Sequence, residues 1–166
     1  MAAKKKGRKA VRKAKKAARP AKRKAAKAAR RAIKARRKPE SLRLRTAGAS
    51  FTVDDIGRSL GFYRDVLGFT VKDRWEQEGK LHGVELVAGK ITFWLGQDDW
   101  KKGRDRVKGQ GFRIYCGTSQ SIDALARQIK DRGGRLAEEP KDQAWGGRDF
   151  AVVDPDGFKI TFSSGM

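Results

Sequence analysis

Residues 145–162 read WGGRDFAVVDPDGFKITF, two apolar runs joined by Asp154-Pro155-Asp156-Gly157. The turn chemistry is spelled out in those four residues. Pro155 presets φ for the second turn position, Asp154 can hydrogen-bond the backbone ahead of it, and Gly157 stands where a side chain would be in the way. The flanks read as strands. Beyond the turn, Ile160 and Phe162 alternate with Lys159, Thr161 and Ser163, so one face is apolar and the other is free to line a polar cavity.

Working outward, the stretch proves to be the end of a repeated unit. LRLRTAGASFTV, from Leu42 to Val53, alternates as a half-buried strand. Asp54 or Asp55 then caps a helix on which Ile56, Leu60, Tyr63 and Leu67 share one face, with Gly68 placed to end it. Phe69–Trp75, Leu81–Val87 and Ile91–Leu95 follow as short apolar runs, with turns at Gly79 and at Gly89-Lys90. The second half repeats this order. Phe112–Cys116 is a strand, Ser121 caps a helix that buries Ile122, Leu125 and Ile129 ahead of Gly133-Gly134, and Arg135–Ala137 with the closing hairpin completes the set. The intervening GQDDWKKGRDRVKGQG reads as a polar, aperiodic connector. The expected fold class is α+β: tandem βαβββ modules, about residues 42–97 and 111–164, forming one cleft of mixed sheets with helices outside.

Charge is placed unevenly. Residues 1–39 hold 20 of the 41 Lys and Arg and none of the 19 Asp and Glu, so +20 of the formal +22 lies there. Residues 1–41 are therefore read as a basic tail and 42–166 as a nearly neutral globular domain, whose roughly 125 residues suffice for one core. Ala, Lys and Arg favour helix, but repulsion without an apolar stripe predicts a free tail that stays disordered and gains helix only when phosphates neutralise it. Its Lys/Ala/Pro composition resembles the tails of linker histones. The expected nucleic-acid contacts are Lys4, Lys5, Lys6, Arg8, Lys9, Arg12, Lys13, Lys15, Lys16, Arg19, Lys22, Arg23, Lys24, Lys27, Arg30, Arg31, Lys34, Arg36, Arg37 and Lys38. With no aromatic residue among them, neither base stacking nor sequence specificity is expected. No run approaches the about 20 apolar residues of a membrane span, and a single Cys, Cys116, excludes an internal disulfide. A soluble cytoplasmic protein, drawn to the nucleoid by its tail, is the expectation.

The globular motifs together are distinctive. Asp55-Ile56-Gly57-Arg58-Ser59-Leu60-Gly61-Phe62-Tyr63, then Val66-Leu67-Gly68-Phe69, then Gly147-Arg148-Asp149-Phe150 and Asp154-Pro155-Asp156-Gly157-Phe158 resemble the vicinal oxygen chelate superfamily of glyoxalases, bleomycin-resistance proteins and extradiol dioxygenases. The resemblance spans about residues 42–164 and implies the paired βαβββ fold, a cleft and often a homodimer. It also implies, for the enzymes of the group, a divalent metal held by His and Glu from four strands. Here the corresponding positions fall on Gly48, Phe93, Phe112 or Ile114, and Thr161, none a usual ligand for such a cation. The one His, His82, stands on the opposite strand face from Glu85. No metal and no cofactor are therefore expected.

What remains is a cleft for a small molecule, with Ser50, Thr52, Phe93, Phe112, Ile114, Trp145, Arg148 and Thr161 as candidate lining residues. Aromatic walls with a few polar contacts suit a planar or partly charged ligand, and the metal-free bleomycin-resistance branch implied by the resemblance works in that way. No catalytic residue is assigned: Cys116 lies in an apolar strand with no evident His partner, and Gly109-Gln110-Gly111 leads into a strand rather than opening a helix. Two alternatives stand beside this reading, a glyoxalase- or dioxygenase-like metalloenzyme with relocated ligands, and a nucleoid-associated structural protein whose domain mainly dimerises.

Overall fold

The alternation of Ala49-Ser50-Phe51-Thr52-Val53 is realised as strand β1 (Ala49–Val53), with Phe51 and Val53 buried and Ser50 and Thr52 exposed. The computed structural model describes residues 46–165; the basic tail, its expected helices and the first residues of the expected Leu42 strand lie outside the described residues. Asp55 caps helix α1 (Ile56–Gly61), its carboxylate accepting the Arg58 N–H at 3.0 Å. The helix runs on into a π-helical turn, Phe62–Val66, closed by a bond from Leu67 N–H to Phe62 C=O. Ile56, Leu60, Tyr63 and Leu67 are all buried, as their shared face predicts.

Strands β2 (Thr70–Gln77), β3 (Lys80–Ala88) and β4 (Ile91–Gln97) complete the first module in the order β1-β4-β3-β2, with β1 and β4 parallel. The second module repeats this with β5 (Arg113–Gly117), helix α2 (Ile122–Asp131), β6 (Leu136–Asp142), β7 (Arg148–Val153) and β8 (Lys159–Ser163), in the order β5-β8-β7-β6 and with β5 and β8 parallel. Ser121 caps α2 by accepting the Ala124 N–H. Strand β6 runs longer than Arg135–Ala137. It continues through Pro140, which the edge position and the register shift between Glu138 and Lys141 tolerate, because no ladder bond is needed from that nitrogen.

Each sheet turns one face to its helix. Phe51, Val53, Val84, Leu86, Phe93 and Leu95 from the first sheet, and Cys116, Phe150, Val152 and Ile160 from the second, join the helices' apolar residues in one continuous core. Among the described residues no helix is long and apolar enough to cross a membrane.

The Asp154–Gly157 turn clamps the two modules together. Gly157, at φ +93°, returns its N–H to the Asp154 carbonyl, in a conformation that favours glycine. Asp154 is buried; its Oδ1 accepts the backbone N–H groups of Asp156 and Phe158, and its Oδ2 accepts the Tyr63 hydroxyl from the π-helical turn at 2.8 Å. Asp156 in turn accepts the Asp54 N–H at 2.7 Å and the Ser59 hydroxyl at 2.8 Å, while Arg58 donates to the Pro155 carbonyl. Burial above all, then the charge of Asp154, pushes the Tyr63 hydroxyl well above the usual tyrosine range. It therefore stays a donor.

The connector is less open than its composition suggests. Asp98 is buried and pairs with Arg106 at 2.6 Å and with Lys108 at 2.8 Å, and Lys108 also reaches Asp54. Trp100 packs against this network, with the Arg104 and Lys108 cations 4.9 and 4.8 Å from its ring centroid.

Candidate functional site

The faces turned away from the helices carry the chemistry. On the first sheet, strand pairing places Ser50 beside Trp94, Thr52 beside Gly96, Glu85 beside Trp94, and Trp75 beside Gly83. Two indoles lie flat against this face because the residues beneath them are glycines. A Cβ at Gly48 would fall 2.3 Å from the Trp94 ring, and one at Gly83 would fall 2.7 Å from the Trp75 ring. Trp75 is 44% exposed. Glu85, mostly covered, pairs with Lys72 at 2.7 Å. The result is an aromatic floor with hydroxyls of Ser50 and Thr52 along one side.

On the second sheet the open face is cationic. Arg113 sits beside Lys159, Tyr115 beside Thr161, and Glu138 beside Ala151. Arg113 donates to the Tyr115 hydroxyl at 3.1 Å. Glu138 receives Lys159, which reaches it across the small Ala151, and lies 3.5 Å from Lys141 and 3.8 Å from Arg113. The hydrogen bond from Lys159, with the surrounding cations, holds the Glu138 carboxyl below its usual range. Asp149 on the same face is buried and accepts the Gln143 amide. Thr161 is only 4% exposed and its hydroxyl has no partner among the described residues. At the end of this face a depression of about 440 Å³ is lined by Phe112, Arg113, Val153, Lys159 and the glycines at 109, 111 and 157.

The eight candidate lining residues separate accordingly. Ser50, Thr52 and Thr161 stand on the open faces, and Phe112 stands at the lip of the depression. Three do not. Phe93 is 2% exposed on the helix side, stacked on Phe69 at 5.0 Å. The reading that put it in the cleft was one residue out, and since side chains alternate, such a slip moves the whole set to the other face; Trp94 holds the place instead. Ile114 packs against the core for the same reason of parity. Arg148 also points to the helix side, where Asp123 in the first turn of α2 takes it with two bonds of 2.9 Å and Asp142 adds one of 3.0 Å. Its donors are used in the fold. Trp145 lies in the loop before β7, 64% exposed. Trp75 and Trp94 escaped the sequence reading. Their signal was Gly83, which pairs with Trp75, and Gly48, two residues before the Ser50 that pairs with Trp94.

A divalent metal of the kind held by enzymes of the resembling group finds no fitting donors here. Among the described residues no group of three or more His, Cys, Asp and Glu side chains is placed to hold a metal ion. Gly48 is covered by an indole, and His82 is exposed on the face opposite Glu85. Cys116 is buried, which pushes its thiol up to about 11 and keeps it protonated rather than nucleophilic.

Comparison with known proteins identifies the family. Residues 45–162 match the model of the glyoxalase/bleomycin resistance protein/dioxygenase superfamily. A bleomycin resistance protein of Geobacillus stearothermophilus is 35% identical over 120 residues, covering 66% of this chain and 89% of the relative. A probable lactoylglutathione lyase of Synechocystis is 31% identical over 118 residues, covering 65% and 86%. Among solved structures, TioX from Micromonospora superposes with a TM-score of 0.61 at 17% identity, covering 74% of this chain and all of TioX, a likeness of fold.

Proposed function

The chain belongs to the glyoxalase/bleomycin resistance protein/dioxygenase superfamily, and from that premise we propose that it is a small-molecule-binding domain that works without a metal and carries a nucleic-acid-binding tail. The observation that carries the first part is the pair of indoles, Trp75 and Trp94, laid on the glycine-backed open face of the first sheet. A flat aromatic floor edged by hydroxyls suits capture of a planar molecule. The donor set argues for sequestration over metal-assisted chemistry. The similarity to bleomycin resistance proteins supports a site for a small molecule.

The open faces also expose Trp75, Tyr115 and Val153, and a second copy of the chain laid over them would turn two faces into an enclosed cleft. We therefore take the working form to be a homodimer. For the tail, the 20 Lys and Arg within residues 1–39, with no acid, favour sequence-independent binding to nucleic-acid phosphates. The domain would then act tethered near DNA or RNA.

Tryptophan fluorescence tests the binding site. The full chain is titrated with metal-free bleomycin and with the neutral planar probe 2-naphthamide. The expected result is saturable quenching by at least one of them, weakened about fivefold in Trp75→Ala, since loss of one aromatic stacking partner is worth about 1 kcal/mol. Unchanged quenching in both Trp75→Ala and Trp94→Ala would remove the floor from the account.

A further inference from the structure

The cationic cluster on the second sheet says which kind of planar molecule fits. Three cations, Arg113, Lys159 and Lys141, surround one carboxylate, Glu138. One carboxylate charge cannot balance three positive ones, and even with the buried Asp149, whose charge also reaches Arg113, one positive charge is left over on this face. Among the described residues, Arg113 in particular keeps unused donors. Of the five N–H groups of a guanidinium, one goes to Tyr115, and the nearest carboxylate oxygen is 3.8 Å away, too far for a hydrogen bond. Arg113 and Lys159 are register partners, so both cations stand on one side of the same depression. Phe112 lines the same depression; its ring packs edge-on against Phe51 and Phe158, and its remaining surface, 45% of the residue, is exposed.

We infer that the ligand is an aromatic acid, its carboxylate or phosphate held by Arg113 and Lys159 and its ring lying against Phe112. The inference rests on the small-molecule-binding reading above and narrows it to one chemical class. A guanidinium fork beside an ammonium matches the paired oxygens of a carboxylate or phosphate, and bonds between such charged partners are the strong ones. A cationic ligand would meet like charge here and would be disfavoured. The preference comes from the second sheet, independently of the indole floor on the first.

A set of isosteric probes separates the possibilities. Calorimetric titration of the full chain with 2-naphthoate, 2-naphthyl phosphate, 2-naphthamide and 2-naphthylmethylammonium keeps the ring fixed and changes only the charge. The acids are expected to bind at least tenfold more tightly than the amide, with the ammonium weakest. The tighter of the two acids identifies carboxylate or phosphate as the preferred group. In the double variant Arg113→Gln, Lys159→Gln the acid and the amide should come within twofold of each other. If that variant does not fold, the wild-type protein still decides, because raising salt from 0.05 to 0.5 M should weaken acid binding and leave the amide unchanged. Amide or ammonium binding as tight as the acid, acid binding unmoved by salt, or an acid preference that survives the double variant overturns the inference and leaves the binding domain standing. Binding of none of the four probes overturns both.

Discussion

Replacing Asp154 by Ala tests whether the hairpin turn holds the two modules together. The Asp154 carboxylate accepts two backbone N–H groups and the Tyr63 hydroxyl, all at 2.8–2.9 Å, and both side chains are buried. Three hydrogen bonds at about 1 kcal/mol each, together with a hydroxyl left buried and unpaired, put the cost at about 3–5 kcal/mol. That is a large share of the 5–15 kcal/mol that typically separates a folded domain from its unfolded chain. Tyr63→Phe removes one bond and leaves Asp154 its backbone donors, for about 1–2 kcal/mol. The double variant should cost less than the sum, because both changes delete the same bond. Asp154 also predicts a pH signature. Burial, its largest influence, raises its carboxyl above the usual range. The part of its contribution that depends on protonation is thus fully present below the unfolded carboxylate value of about 4 and is lost as pH rises through the folded one, while the three accepted hydrogen bonds remain. Asp154→Asn should abolish that loss. Urea unfolding of the full chain, followed by tryptophan fluorescence at several pH values, measures all of this. An Asp154→Ala cost below about 1 kcal/mol, or additivity with Tyr63→Phe, would refute the clamp.

Three further outcomes follow from other parts of the molecule. Asp98→Ala leaves Lys108 buried with Asp54 as its one remaining acid partner among the described residues and frees Arg106, whose side chain is one-third exposed; urea unfolding should show a loss of about 2–4 kcal/mol, and a loss below about 0.5 would mean that the connector is not anchored. Gly48→Ala places a methyl group inside the Trp94 ring and should displace the indole at a cost of about 1–3 kcal/mol, read as a red shift of tryptophan emission. For the tail, neutralising about eight phosphates gives a slope of log affinity against log salt near −7 on duplex DNA, and a slope near zero would remove the nucleic-acid proposal.

Much of this architecture is legible in the chain because local chemistry specifies it. The capping residues Asp55 and Ser121, the α1 face of Ile56, Leu60, Tyr63 and Leu67, and the DPDG turn each act over a few residues, and their signals survive without tertiary knowledge. The site was less legible, for a geometric reason. Assigning a strand residue to a face depends on a period of two, and in Ile91-Thr92-Phe93-Trp94-Leu95 nearly every residue is apolar or aromatic, so nothing local says whether Phe93 or Trp94 faces the cleft. Arg148 was misplaced in the same way; its partner Asp123 lies 25 residues away, on a helix. The anchored connector was invisible because Asp98, Arg106 and Lys108 look like solvated charges until folding brings them under Trp100. Long-range pairing of charges leaves no periodic trace.

On the proposed function, the open sheet faces bind a small planar molecule without a metal ion. The most direct measurement is calorimetric titration of the chelator-treated full chain with 2-naphthoate, with elemental analysis of the same sample. Saturable binding in protein holding well under one metal ion per chain is the predicted result. Binding that appears only in step with added divalent metal would contradict it.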